Sequence, residues 1–176
     1  MAPQEIFLID MTLGYFAWAL CIAVYIWPRL KGVNRVEAHR AIATLHSFRF
    51  FGLVFLLPGF VGPNLAEAFA APSAYGDLAT AILAILALLT VRIRILFWPL
   101  VLAFNLVGLG DLVMDTVNVA RLHLPFVAGQ FGAGYAIPIL YVPLLFWTHL
   151  LALWLLWSAR KPAASTGTSM AFAATD

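Results

Sequence analysis

Six polar side chains lie within otherwise apolar stretches of this 176-residue sequence. They are Arg49, Asp111, His149, Asn105, His46 and Asp77. An arginine can hold an anion or pair with a carboxylate, a carboxylate can bind a cation or a proton, and a histidine can exchange a proton near neutral pH. Arg49 and Asp111 therefore predict either a buried ion pair or a ligand site, in which Asn105 and His149 would supply neutral hydrogen bonds.

The helical spacing of these residues places them at two depths of a membrane. His46 and Arg49 are three residues apart and so share a helix face. A helix rises 1.5 Å per residue, which places four of the side chains roughly 8–14 Å from one membrane surface. These four are His46, Arg49, Asn105 and His149. Six of the eight acidic residues fall in the opposite half of the membrane, namely Glu5, Asp10, Glu67, Asp77, Asp111 and Asp115. Buried carboxylates require bound cations, protonation or pairing with arginine.

From this distribution we expect the six polar residues to converge on one interior space, which we call the polar seam. Each also has a simpler structural interpretation. Asp77 follows Gly76 and begins an apolar run, which predicts a helix N-cap. Asn105, His46 and His149 could serve only in hydrogen bonds between helices.

The elements that must position these residues are membrane helices. Apolar residues make up 64% of the chain and charged residues 10%, and the mean hydropathy is +0.96, which excludes a soluble fold and a nucleic-acid binder. A bilayer needs about 20 apolar residues per helix. The sequence therefore predicts an all-α membrane protein with five transmembrane helices in a domain spanning 1–161, followed by a disordered cytoplasmic tail, 162–176. The predicted spans are 6–27, 41–62, 77–97, 98–118 and 137–158.

The basic residues predict the orientation of the bundle. Eight of the ten fall on one side of the predicted spans, namely Arg29, Lys31, Arg35, Arg40, Arg92, Arg94, Arg160 and Lys161. Short cytoplasmic loops are enriched in such residues, so the N-terminus is expected outside and the C-terminus in the cytoplasm.

Local signals predict where the helices begin and end. Asn34 and Glu37 have the spacing of a capping box, which predicts that the second helix starts near Arg35. Pro72 is expected to end a short interfacial helix, and the chain is expected to reverse where Arg92 and Arg94 are followed by Trp98–Pro99. The glycines in 119–136 indicate a flexible outer loop.

Several functions are compatible with these residues. The favoured hypothesis is a polar seam that binds or translocates a small ligand, an ion or a proton, in a protein that would dimerise within the lipid bilayer to build a pathway. His46 and His149 could instead be the axial ligands of a haem b in a redox protein. A scaffold or assembly factor without a ligand site is a third possibility. An enzyme acting on a lipid is less favoured, because no nucleophile or metal-binding motif accompanies His149 and Asp111.

Four segments resemble a loose group of small bacterial polytopic inner-membrane proteins to which no activity is assigned. The segments are 49–56, 69–77, 105–111 and 142–149, which read RFFGLVFL, FAAPSAYGD, NLVGLGD and VPLLFWTH. The resemblance covers roughly residues 46–157 and implies a multi-pass protein of the bacterial inner membrane. It implies no activity.

Overall fold

The computed structural model describes residues 1–158, and the predicted tail 162–176 lies outside the described residues. The described part of the chain is helical and contains no β-strand. Four of its helices are long and apolar enough to cross a membrane. They are α1 (Pro3–Lys31), which includes a π-helical turn at Ile22–Ile26, α3 (Glu67–Leu89), α4 (Arg94–Arg121) and α5 (Ile137–Ser158).

The predicted second span, 41–62, has a mixed helical structure. The helix α2 (Arg35–Ser47) begins where the sequence predicts, because the Asn34 side chain accepts a hydrogen bond of 3.0 Å from the Glu37 amide. A 3₁₀ helix, Phe48–Leu56, continues it directly. This segment is not among the four helices above, so the fifth crossing stays a prediction.

The predicted boundaries of the third and fourth spans, 77–97 and 98–118, are wrong. Helix α3 begins at Glu67 with Ala66 as its N-cap, so Asp77 lies inside a helix and is not a cap. Pro72 also lies inside α3, in its second turn, and therefore does not end a helix. The chain reverses at Thr90–Ile93, which includes Arg92 of the predicted reversal but not Trp98–Pro99, and a bond of 2.8 Å from the Ile93 amide to the Thr90 carbonyl closes that turn.

The outer segment 119–136, expected to be a flexible loop, is tied to the bundle. Helix α4 extends to Arg121, and Leu124–Tyr135 forms 3₁₀ turns with a kink. The Gly62 amide bonds to the Gln130 carbonyl at 2.7 Å. Gly132 has φ +53°, and a Cβ there would approach the Phe60 carbonyl, so the glycine allows close packing here.

Two apolar clusters pack the interior, and along each helix the polar side chains lie between them. The inner cluster includes Ala43, Ala84, Phe97, Val101 and Ala152, near the end of the bundle that carries the 90–93 turn. The outer cluster includes Phe7, Phe55, Phe69, Leu124 and Phe131, near the opposite end. The fold therefore surrounds a layer of polar groups with apolar packing on both sides.

Candidate functional site

Arg49 is the centre of the buried polar layer, with no exposed surface. Its Nε donates to Asp77 Oδ1 at 2.6 Å, and its Nη2 donates to Asp111 Oδ2, also at 2.6 Å. Its Nη1 donates to the Gly108 carbonyl at 3.1 Å and lies 3.1 Å from His149 Nε2. One guanidinium therefore connects the 3₁₀ helix to α3, α4 and α5.

Three glycines make room for these charged side chains. A Cβ at Gly52 would overlap the Asp77 carboxylate, and one at Gly76 would overlap Asp111. A Cβ at Gly108 would overlap the guanidinium and the neighbouring imidazole. The backbones therefore approach closely at this depth, and each carboxylate fills the space that a larger residue would occupy.

The hydrogen bonds of His149 define its tautomer. Arg49 is a donor only, so His149 Nε2 must accept its N–H. The proton is therefore on Nδ1, which donates to Asn105 Oδ1 at 2.9 Å, while the Asn105 amide donates to the Val101 carbonyl at 2.7 Å. In this arrangement His149 is neutral, and both of its ring nitrogens are occupied.

The second histidine, His46, has a free lone pair. The Thr148 hydroxyl donates to the Leu144 carbonyl at 2.9 Å, so its oxygen accepts from His46 Nε2 at 3.1 Å. His46 Nδ1 is therefore unprotonated, and it is buried without a hydrogen-bond partner within residues 1–158. Its ring packs on the His149 ring with centroids 3.9 Å apart. In this arrangement Nδ1 of His46 is the ring nitrogen of the pair that no hydrogen bond within residues 1–158 occupies.

A small cavity adjoins the outer side of the Arg49 network. It has a volume of about 30 Å³, and its lining includes Asp77, Asp115 and Tyr141. The Ser73 hydroxyl donates to Asp115 at 2.5 Å, whereas the Tyr141 hydroxyl is buried with no hydrogen-bond partner in the described chain. A space of this size, with polar groups around it, fits about one water molecule.

Nearer the outer end of α1, Asp10 accepts a hydrogen bond of 2.9 Å from the Tyr135 hydroxyl. Burial, with this hydrogen bond and the charge of Asp10, raises the pKa of Tyr135 to about 12. The hydroxyl therefore stays protonated at neutral pH and keeps donating to Asp10.

The layer contains more carboxylates than cations. Asp77, Asp111 and Asp115 face one fixed cation, Arg49, because both histidines are neutral in this arrangement. The side chains of Asp77 and Asp111 are only 9% and 10% exposed. Buried charge without a partner is strongly unfavourable. In this arrangement the layer therefore carries an excess of negative charge on side chains that are buried or partly buried.

All six residues of the polar seam come together in one hydrogen-bonded and stacked group. Asp77 pairs with Arg49 instead of capping a helix, and Arg49 pairs with Asp111, which is one of the two arrangements that the sequence predicts. Their role in binding a ligand stays a prediction. Sequence reasoning missed Ser73, Tyr141 and the glycine contacts, because a hydroxyl or a glycine in a membrane helix has no distinctive spacing.

The geometry also bears on the haem alternative. With ring centroids 3.9 Å apart, His46 and His149 would have to separate before a porphyrin could lie between them. The described residues contain no group of three or more His, Cys, Asp or Glu side chains arranged to hold a metal ion. Haem ligation by this pair stays a prediction that requires a rearrangement.

The sequence matches a family profile along most of its length. The profile is described as Domain of unknown function (DUF8737), and it matches residues 6–157. The chain belongs to this family. The match includes every residue of the polar seam. No curated protein and no solved structure matches the chain.

Proposed function

We propose that this protein is a multi-pass membrane protein whose polar seam binds protons and conducts them across the bilayer. The observation that carries the proposal is a group of three carboxylates, one buried and two partly buried, near a single buried arginine. Because the excess negative charge is unfavourable away from water, protons are the natural compensating charge.

The small volume of the site favours a proton over a larger ligand. A cavity of about 30 Å³ has no room for an organic molecule. One oxygen of Asp77 and one of Asp111 already accept a hydrogen bond from Arg49, which leaves few free ligands for a metal cation that needs six or more oxygens. A proton requires only one free lone pair.

The polar groups form a sequence of proton-accepting sites along the bundle. Asp115 and the cavity are nearest the outer end, followed by Asp77 and Asp111 on the guanidinium, and then by His46, which stacks on the fully hydrogen-bonded His149. The free Nδ1 of His46 is the innermost acceptor of this series. Beyond it the inner apolar cluster closes the bundle, so complete transfer requires that cluster to open.

The membrane arrangement is part of the proposal. The continuous segment Arg35–Leu56 has a length of about 37 Å at ordinary helical rises, enough for a fifth crossing of a core of roughly 30 Å. With the arginine-rich turns in the cytoplasm, the N-terminus faces outward. A bacterial inner membrane and a homodimer complete this assignment.

Proton flux into liposomes tests the proposal. Purified protein is reconstituted with a pH-sensitive dye inside, and a potassium diffusion potential drives proton entry. We expect wild-type protein to acidify the interior faster than empty liposomes, and Asp111→Asn to lose most of this rate. Glu67→Gln is the matched control, because it neutralises an exposed carboxylate outside the seam and should retain the rate.

Two results would reject the proposal. One is a wild-type rate equal to that of empty liposomes when the protein is shown to be folded and inserted, which would favour the scaffold alternative. The other is an unchanged rate in Asp111→Asn.

A further inference from the structure

A concave surface rich in arginine lies at the inner end of the bundle, where α2 begins and α3 turns into α4. It encloses about 890 Å³ and is open to the outside. Arg35, Arg92, Arg94 and Trp98 form much of its lining, and we call these four residues the arginine concavity. Neither the polar seam nor the proton pathway uses it.

The positive charge of the arginine concavity is not neutralised within the described residues. Its three arginines are exposed, and the ion pairs of residues 1–158 involve other arginines. The one carboxylate that lines the surface, Glu37, bonds to Arg40 at 2.7 Å. Three guanidinium groups therefore share a surface with no carboxylate committed to them.

The concavity lies at a membrane surface, whichever way the protein is oriented. Arg92 and Arg94 flank the turn between two helices of membrane-spanning length, so that turn must lie at an interface. Arg35 lies at the same end, because its Nη2 donates to the Leu155 carbonyl near the end of α5 at 3.3 Å. The apolar side chains of Val36 and Val91 also line the surface.

We propose that the arginine concavity binds the phosphate of an anionic phospholipid headgroup. Guanidinium groups match phosphate oxygens in charge and in paired geometry. Basic pockets between spanning helices at the membrane surface are suited to anionic headgroups. The Arg35 guanidinium lies over the Trp98 ring at 5.1 Å, which limits its freedom and keeps it at the pocket. The adjoining apolar lining favours a lipid over a soluble phosphate.

Native mass spectrometry of the full chain in detergent tests the assignment. Phosphatidylglycerol and phosphatidylcholine are titrated separately, so that lipids with and without net negative charge are compared. Each arginine that contacts an anionic headgroup contributes about fivefold in affinity. Arg92→Gln/Arg94→Gln should therefore bind phosphatidylglycerol about 25-fold more weakly.

The matched control is Arg29→Gln/Lys31→Gln, which removes two positive charges from the same end of the bundle but outside the concavity. It should bind phosphatidylglycerol like the wild type. Inorganic phosphate, added as a competitor at millimolar concentration, should displace the lipid only weakly.

Three outcomes would overturn the proposal. The first is equal binding of the two lipids by the wild type, and the second is an equal loss of affinity in both double variants. The third is tight binding of inorganic phosphate without preference for phosphatidylglycerol, which would identify a soluble anion as the ligand. Retained folding of both variants, measured by circular dichroism, makes each comparison valid.

Discussion

Removing the charge of Arg49 should destabilise the protein far more than removing that of a surface arginine. In Arg49→Gln, the carboxylates of Asp77 and Asp111 lose the guanidinium that each contacts at 2.6 Å. Breaking a buried ion pair by deleting one partner costs about 3–5 kcal/mol. Because both pairs share one arginine, we expect a total loss of roughly this size, not twice it.

The same substitution at Arg40 is the matched control. Arg40 pairs with Glu37 at 2.7 Å, but both side chains are about half exposed, at 47% and 48%. Exposed pairs contribute about 0–1 kcal/mol. The free energy of unfolding of both variants can be measured by denaturant titration in mixed micelles, with circular dichroism as the readout.

A rescue experiment and a pH series distinguish charge imbalance from loss of packing. The triple variant Arg49→Gln/Asp77→Asn/Asp111→Asn has no charge at these three positions. It should therefore recover at least half of the unfolding free energy that the single variant Arg49→Gln loses. The single variant should become more stable as the pH falls, because its native state binds more protons than its unfolded state. Two results would contradict this explanation. One is a loss of unfolding free energy in Arg49→Gln that lies within about 1 kcal/mol of the loss in Arg40→Gln. The other is a triple variant that is less stable than Arg49→Gln.

Two further predictions concern the packing of the helices around the seam. Gly14→Ala should lose about 1–3 kcal/mol of unfolding free energy, because the added Cβ would overlap a backbone carbonyl of α5. A Cβ added at Gly110 would contact no other group, so Gly110→Ala should lose none. Thr148→Val should lose about 1–3 kcal/mol of unfolding free energy, because the His46 Nε2–H would have no acceptor. Thr44 is exposed and its hydroxyl bonds to its own helix, so Thr44→Val should change the unfolding free energy by less than about 0.5 kcal/mol. Thermal unfolding in detergent measures both pairs, and equal effects within a pair would contradict the packing described here.

The polar seam could be predicted from the sequence because, in a membrane helix, the position of a residue along the chain gives its depth in the bilayer. Continuous apolar runs predicted helices, and 1.5 Å per residue placed Arg49, His149 and Asn105 at similar depths. The prediction that Arg49 pairs with Asp111 depended only on this arithmetic and on the high energy of unpaired buried charge. Both the helical rise and the cost of an unpaired buried charge apply to any packing of the helices.

The pairing of Asp77 with Arg49 was not predicted, because the residues around Asp77 have the pattern of a helix N-cap, whereas its partner comes from a distant part of the chain. A glycine followed by an aspartate and an apolar run is typical of a helix start, yet α3 begins ten residues earlier and continues through Pro72. What places Asp77 against Arg49 is the close approach of Gly52, which spacing along the chain does not encode. The change from α2 to a 3₁₀ helix at Phe48 also had no sequence signal that we could identify.

An infrared spectrum of the membrane-embedded protein at neutral pH shows whether the seam carries bound protons, because protonated and ionised carboxyl groups absorb at different frequencies. We predict a protonated carboxyl band that Asp111→Asn or Asp115→Asn diminishes and Glu67→Gln leaves intact. A wild-type spectrum in which every carboxyl group is ionised would contradict the account, since the seam would then hold its excess negative charge without any bound proton.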